Sequence, residues 1–349
     1  MSEIRILDRK LSAALSQINW ANLENKSILV TGATGLVGKC LIKVILEHNC
    51  AANSRTRIIA VGRSIEKLRE RFAEYLNNSD LELYQHDVQQ PWNYTKRIDY
   101  VFHMASNTHP LQYALDPIAT EMTNILGTHY LLQVVAKNQG CRFVFTSSTD
   151  IYGDNRSSKE FFEETDCGYI DCNTLRANYI EGKRASEALC NAYQKQYGVD
   201  FVIARICRIF GDTMQMEDSK AVSSFIKNAA NGEDIVLKSA GTQVFSYLHV
   251  YDVVSALLKI ASEGESGEAY NVAANDHCMS LKELAQTLAE IGKCNVVAGV
   301  LSEAERAGAS TFQNAKLDGT KLCKLGWKAQ IDLHDGLEAT VNYLKAQTR

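Results

Sequence analysis

The chain has 349 residues, 46% apolar and 22% charged, a composition that suits one large globular domain with a smaller lobe, or two domains. Its 37 basic and 41 acidic residues leave a net charge of −4, which offers no footprint for a nucleic-acid groove or an anionic membrane. The 10 scattered cysteines form no C-x-x-C pair and argue against a metal site.

In chain order, Ile4, Leu7, Leu11, Leu15 and Ile18 fall at helical spacing and predict a leading amphipathic helix over 4–20. Residues 27–31 (SILVT) read as a first strand, 39–48 as a helix, 57–61 as a second strand, 65–76 as a helix and 81–85 as a third strand. Residues 100–104, 143–146 and 201–206 follow as further strands, with long helices over 119–138 and 179–197. Such alternation implies βαβ units with right-handed crossovers. The expected fold class is therefore α/β, a Rossmann-type doubly wound parallel sheet. After Gly211 the pattern loosens into short strands such as 235–237 and helices such as 281–291. That predicts a smaller C-terminal substrate-binding lobe. The segments are 1–26 (the leading helix), 27–211 (the dinucleotide domain) and 212–349 (a lobe that is not independent).

Residues 1–20 carry charges where a signal peptide needs an apolar core, and no window approaches the roughly 20 apolar residues of a membrane span. The expectation is a cytoplasmic protein with reduced thiols.

Thr31-Gly32-Ala33-Thr34-Gly35-Leu36-Val37-Gly38 follows the first strand and opens a helix. One glycine makes the tight turn, another admits a pyrophosphate and a third lets helix pack on strand. The helix N-terminus then offers amides and a positive dipole end to the phosphates. Gly32, Thr34, Gly35, Leu36, Val37 and Gly38 are thus expected in a dinucleotide site. The second strand ends in Gly62-Arg63-Ser64 rather than in an acidic residue. Arg63 can pair with a 2′-phosphate and Ser64 can donate to it, so NADP(H) is favoured over NAD(H). The other reading of Arg63 is a solvated loop arginine. Asp87 and Val88, after the third strand, are placed for the adenine. Met104, Ala105 and Ser106, continuing into Asn107 and Thr108, are expected to line the nicotinamide pocket. His103 reads as a positioning residue under the cofactor, and His109 as a lesser candidate for catalysis.

Tyr179 and Lys183 lie four apart on a predicted helix and share one face. An ammonium about 4 Å from a phenol contributes up to roughly 4 kcal/mol at an effective dielectric near 20. Lys183 is therefore expected to lower the Tyr179 pKa enough for proton exchange with an alcohol or carbonyl. Ser148, past the fifth strand, is placed to hold the reacting oxygen.

These motifs resemble the extended short-chain dehydrogenase/reductases, or NAD-dependent epimerase/dehydratases, over residues 27 to about 290: TGATGLVG at 31–38, HMAS at 103–106, TSSTDIYGD at 146–154 and YIEGKRASE at 179–187. Glu181-Gly182-Lys183-Arg184 and the stretch 222–226 look like the UDP-glucuronate decarboxylase group. The resemblance implies a nucleotide-sugar substrate and a homodimer formed through the two long helices, with Tyr179 and Lys183 also touching the cofactor. Three departures matter. Thr149-Asp150 stands where dehydratases carry Asp-Glu and decarboxylases Ser-Glu, so Asp150 is the expected carboxylate of a catalytic set with Ser148, Tyr179 and Lys183. Arg208 stands where relatives have an asparagine. Phe245 replaces a phosphate-binding arginine, not a conservative change. Thr149, Arg208 and Lys220 are the expected substrate contacts, with Arg208 or Lys220 supplying the missing charge. Epimerase- or decarboxylase-like chemistry, a net NADPH-dependent reductase of a keto-sugar and a non-catalytic dinucleotide sensor are the competing functions.

Overall fold

The computed structural model describes residues 10–108, 115–154, 159–308 and 312–347. His109, and residues 4–9 of the expected leading helix, lie outside them. The first half alternates strand and helix: β1 (Ser27–Thr31), α1 (Leu36–Ala52), β2 (Arg57–Gly62), α2 (Ile65–Arg71), β3 (Leu81–Gln85), β4 (Tyr100–His103), α3 (Pro117–Lys137), β5 (Arg142–Ser148), α4 (Ala177–Tyr197) and β6 (Asp200–Ile206). The second half is β7 (Arg208–Phe210), α5 (Ala221–Asn231), β8 (Ile235–Leu237), β9 (Val244–His249), α6 (Val250–Glu263), β10 (Ala269–Val272), β11 (Cys278–Ser280), α7 (Leu281–Gly292), β12 (Val296–Ala298) and β13 (Asn314–Ala315), with short helices and a C-terminal helix Leu333–Gln347.

Seven strands form one sheet in the order β10-β6-β5-β4-β1-β2-β3, every neighbouring pair parallel. This is the expected α/β Rossmann-type sheet, but β10, expected in the smaller lobe with the rest of 212–349, pairs with β6 and is its edge strand. The central strands read as apolar runs because helices cover both faces: Ile28, Leu29 and Val30 are all fully buried. The chain reverses direction across the sheet between β1 and β4, and the crevice at their carboxyl ends is where such sheets bind ligands. The smaller lobe supplies a mixed sheet β11-β9-β13, with β7 paired to β9, and a two-stranded β12-β8. β7 leaves β6 after a single residue, Cys207, and pairs with β9, so the smaller lobe starts at Arg208 rather than at the expected 212 and brings that side chain to the mouth of the crevice.

Two helix expectations change. The helix expected over 65–76 ends at Arg71, because Phe72 leaves helical geometry and plugs the core, fully buried. The leading helix runs over 10–15 within the described residues and does not reach 20. The role of the leading segment is visible: Leu11, Ala14 and Ile18 are buried, Lys10 pairs with Asp335 at 2.6 Å, and the Gln17 amide exchanges two hydrogen bonds with the Lys328 backbone. It ties the start of the chain to the C-terminal helix. No helix among the described residues is long and apolar enough to cross a membrane.

Candidate active site

The turn between β1 and α1 excludes side chains at two positions. Gly32 has φ 67°, and a Cβ there would lie 2.7 Å from the Met104 carbonyl oxygen. A Cβ at Gly38 would lie 2.3 Å from the Gly32 carbonyl oxygen. Gly35 caps α1 without a side-chain hydrogen bond, so no side chain covers the helix N-terminus. Thr31 anchors the floor. Its hydroxyl accepts from the Met104 and Ala105 amides, both at 3.1 Å, and therefore donates to His103 Nδ1 at 2.8 Å. Burial pushes His103 down to about 3, so it is a neutral support behind the cleft.

Above the turn lies a cleft of about 390 Å³ along the carboxyl edge of the sheet. Ser148, at the end of β5, caps a short 3-10 turn by accepting from the Asp150 amide at 3.2 Å and is hydrogen-bonded to Tyr179. Lys183 donates to the Thr146 carbonyl at 2.8 Å and lies 4.8 Å from the centre of the Phe145 ring. The close packing of α4 on α3 holds the pair, with Gly182 facing Asn124 and the Ser186 hydroxyl bonded to the Asn124 carbonyl. The electrostatics differ from the sequence expectation. Burial, and then Asp150, push the Tyr179 phenol up to about 12. Burial pushes Lys183 down to about 7 against the pull of Glu187. Desolvation penalises both charged forms and outweighs the pairing expected from helix spacing alone.

Asp150 is a fully buried carboxylate clamped by two guanidiniums, Arg176 at 2.6 Å and Arg208 at 3.1 Å. Burial would raise its pKa, but Arg208 and Arg176 outweigh it and hold the carboxyl below its ordinary range. Arg208 stacks on Phe245, its guanidinium carbon 4.9 Å from the ring centre. Phe245 on β9 thus serves as a platform for an arginine from the neighbouring strand β7. Lys220, at the start of α5, donates to Thr108 at 3.1 Å and lies 3.5 Å from Asp218.

The segment between β7 and α5 crosses the seam of the two lobes. Gln215 donates to the Thr34 carbonyl and Thr213 to the Leu36 carbonyl, each at 2.8 Å. Arg71 donates to the Thr34 carbonyl at 3.2 Å and also to the Thr213 carbonyl. With Lys220 on Thr108, this arch touches both the glycine turn and the loop after β4.

The cleft is lined by Gly32, Thr34, Gly35, Leu36, Val37 and Gly38 from the turn, by Arg63, Asp87 and Val88 at one end, and by Met104, Ala105 and Ser106 along the floor. Ser148, Asp150, Tyr179, Lys183, Arg208 and Lys220 line the other end. Two expected residues are elsewhere. Ser64 caps α2, accepting from the Lys67 amide, and gives its proton to Glu66 at 2.8 Å, so it has no donor left for a phosphate. Thr149 is buried and directed at the Ala315 carbonyl of β13, 3.5 Å away, rather than into the cleft. Sequence reasoning missed Arg176, Gln215 and Ser147. Arg176 was findable, since it precedes Tyr179 by three residues on a helix. Gln215 carried no local signal. Ser147 lines the cleft with a buried hydroxyl that has no protein partner. That orphaned hydroxyl and the cradle at Gly32 and Gly38 fit a bound dinucleotide.

A parallel sheet with this glycine turn and a Ser-Tyr-Lys set at its carboxyl edge defines an extended short-chain dehydrogenase/reductase. The chain belongs to the NAD dependent epimerase/dehydratase family, which it matches over residues 28–273. It is 30% identical over 314 residues to UDP-glucuronic acid decarboxylase 6 of Arabidopsis thaliana, covering 90% of this chain and 87% of that protein. It is 29% identical over 351 residues to UDP-glucuronic acid decarboxylase 1 of Xenopus tropicalis, covering 99% and 78%. Among solved structures, UDP-glucose 4-epimerase of Thermotoga maritima with UDP-glucose superposes with a TM-score of 0.77 at 23% identity, covering 93% of this chain and 100% of that one. The UDP-glucuronic acid 4-epimerase of Bacillus cereus, in complex with UDP-glucuronic acid and NAD, gives 0.77 at 20% identity, covering 92% and 99%.

Proposed function

We propose that this chain oxidises or reduces a hydroxyl or keto group of a nucleotide-activated sugar, with the redox change centred on Ser148, Tyr179 and Lys183. The observation that carries the reading is the cleft itself, in which the Ser148–Tyr179 pair at one end faces cationic Arg208 and Lys220 on the smaller lobe. Relatives named for UDP-glucuronic acid support a nucleotide-sugar substrate. The glycine turn and the α1 N-terminus would hold the cofactor diphosphate, and Ser147 and Lys183 its nicotinamide half. A bound nicotinamide supplies hydride acceptance or donation and, when oxidised, a positive charge. Ser148 and Tyr179 hold the reacting oxygen, and Tyr179 exchanges its proton with that oxygen. Arg208 and Lys220 take the substrate's anionic part, as Phe245 cannot.

The family is NAD dependent, and Arg63, lining the cleft, is the residue that supports NADP(H) instead, now without help from Ser64. The half-exposed Met122, Ile125, Leu126 and Tyr130 on α3 support a homodimer through α3 and α4. Free cysteines such as Cys40, Cys141 and Cys190 support a reducing, cytoplasmic setting. The test is to identify any retained cofactor by mass spectrometry and then screen UDP-, CDP-, GDP- and dTDP-sugars for product formation and for nicotinamide absorbance changes. A converted nucleotide sugar with unchanged net absorbance indicates internal redox. Net NADPH consumption indicates the reductase reading. No conversion of any nucleotide sugar removes this substrate class.

A further inference from the structure

Arg176 has no task in the reaction outlined above, yet it is one of the most enclosed cations beside the cleft. It stands at the N-cap of α4, three residues before Tyr179. Its side chain is 8% exposed and donates from Nη2 to Asp150 Oδ2. Arg208 takes Oδ1 from the other side. Each carboxylate oxygen thus has its own arginine, one from the Rossmann domain and one from the smaller lobe. Phe312 closes over Arg176, its ring centre 5.9 Å from the guanidinium carbon, and clusters with Tyr179 and Ile180. Burying Arg176 with a buried carboxylate that Arg208 also meets is a poor way to gain stability, since desolvation offsets most of the attraction. What such a clamp secures is placement. The Asp150 backbone amide is also held, by Ser148 Oγ, the same oxygen that meets the Tyr179 phenol.

We propose that Arg176 is a positioning residue for proton transfer, its guanidinium fixing the Asp150 carboxylate at the Ser148–Tyr179 end of the cleft. The inference rests on the reading of Tyr179 as the group that exchanges a proton with the substrate. The groups that act on the phenol are Asp150, Ser148, Arg208 and Arg176. Those that act on the carboxylate are Arg208, Arg176 and Lys220. Asp150 is the anion in this set, and it works in the same direction as burial; Ser148 and the arginines oppose it. Removing its charge therefore makes the phenol more acidic. Removing Arg176 releases the carboxylate from one of its two guanidiniums.

The test is carbon-13 NMR of protein labelled at tyrosine and aspartate side chains, with the two signals assigned by their loss in Tyr179→Phe and Asp150→Asn. Asp150→Asn is expected to lower the Tyr179 midpoint by about one pH unit. Arg176→Met is expected to raise the Asp150 midpoint by about one to two units, and Arg176→Lys, which keeps the charge without the fork, by less. Arg176→Lys also keeps the test open where Arg176→Met fails to fold. An unmoved Tyr179 midpoint in Asp150→Asn overturns the inference, as does an unmoved Asp150 midpoint in the folded Arg176 variants. These titrations need no substrate. A wrong sugar class leaves them intact, whereas a Tyr179→Phe enzyme that still turns over removes the reading on which they rest.

Discussion

The two halves of the cleft are assembled in different ways. The cofactor half is built on backbone, a continuous run from Thr31 to Gly38 in which missing side chains at Gly32 and Gly38 leave room for the Met104 and Gly32 carbonyls. The other half, proposed above as the substrate half, is side chain. Asp150 follows β5, Arg176 starts α4, Arg208 lies on β7, Lys220 starts α5 and Phe245 lies on β9. Recognition by backbone depends on local conformation and tolerates few changes. Recognition by side chains depends on which distant elements meet: here an arginine on β7 is stacked on Phe245 of β9.

Substitutions in each half sharpen this contrast. The largest expected effect is at the junction. Tyr179→Phe removes only the proton-exchanging hydroxyl and is expected to slow turnover by about 10²–10⁴-fold while leaving cofactor affinity near that of the parent. Steady-state rates on the sugar found by the screen, beside a cofactor titration, check this, and a rate within tenfold of the parent removes Tyr179 as the proton carrier.

Gly38→Ala strikes the cofactor half. Its Cβ meets backbone, which cannot swing aside, so cofactor affinity is expected to fall by about 10²-fold, a loss of roughly 3 kcal/mol. Calorimetric titration reads this directly, and parental affinity would show that the turn does not hold the cofactor.

Arg208→Ala strikes the substrate half. A desolvated charge contact predicts a loss of about 2–5 kcal/mol in kcat/KM with unchanged cofactor affinity. Because it also strips a partner from Asp150, part of the loss reflects a loosened clamp, and a pH–rate profile separates the two contributions. Native kinetics would place the substrate elsewhere.

The smallest effect is expected at the seam. Gln215→Ala removes one neutral hydrogen bond to the Thr34 carbonyl, worth about 0.5–1.5 kcal/mol. Cofactor release, followed by rapid mixing with a competing dinucleotide, should quicken by about 2- to 12-fold. An unchanged release rate would show that the arch does not restrain the cofactor.

Short-range chemistry made much of this protein legible from its sequence. Periodicity marked the strands and helices because burial on both sheet faces imposes apolar runs. The glycine turn was readable because its conformation is local, and the Tyr179–Lys183 pair because helix geometry puts residues four apart on one face. Only the tertiary structure decided the electrostatics and the substrate wall. Ser64 looked like a phosphate donor, but the helix behind it claims its hydroxyl. Thr149 faces inward because the smaller lobe brings the Ala315 carbonyl to meet it. Lys183 and Tyr179, expected to tune each other, are each moved first by burial, a property of packing that spacing does not encode. The clamp of Arg176 and Arg208 on Asp150 likewise exists only after β7, α4 and the end of β5 have met, because a buried charge takes its state from the partners that folding brings to it.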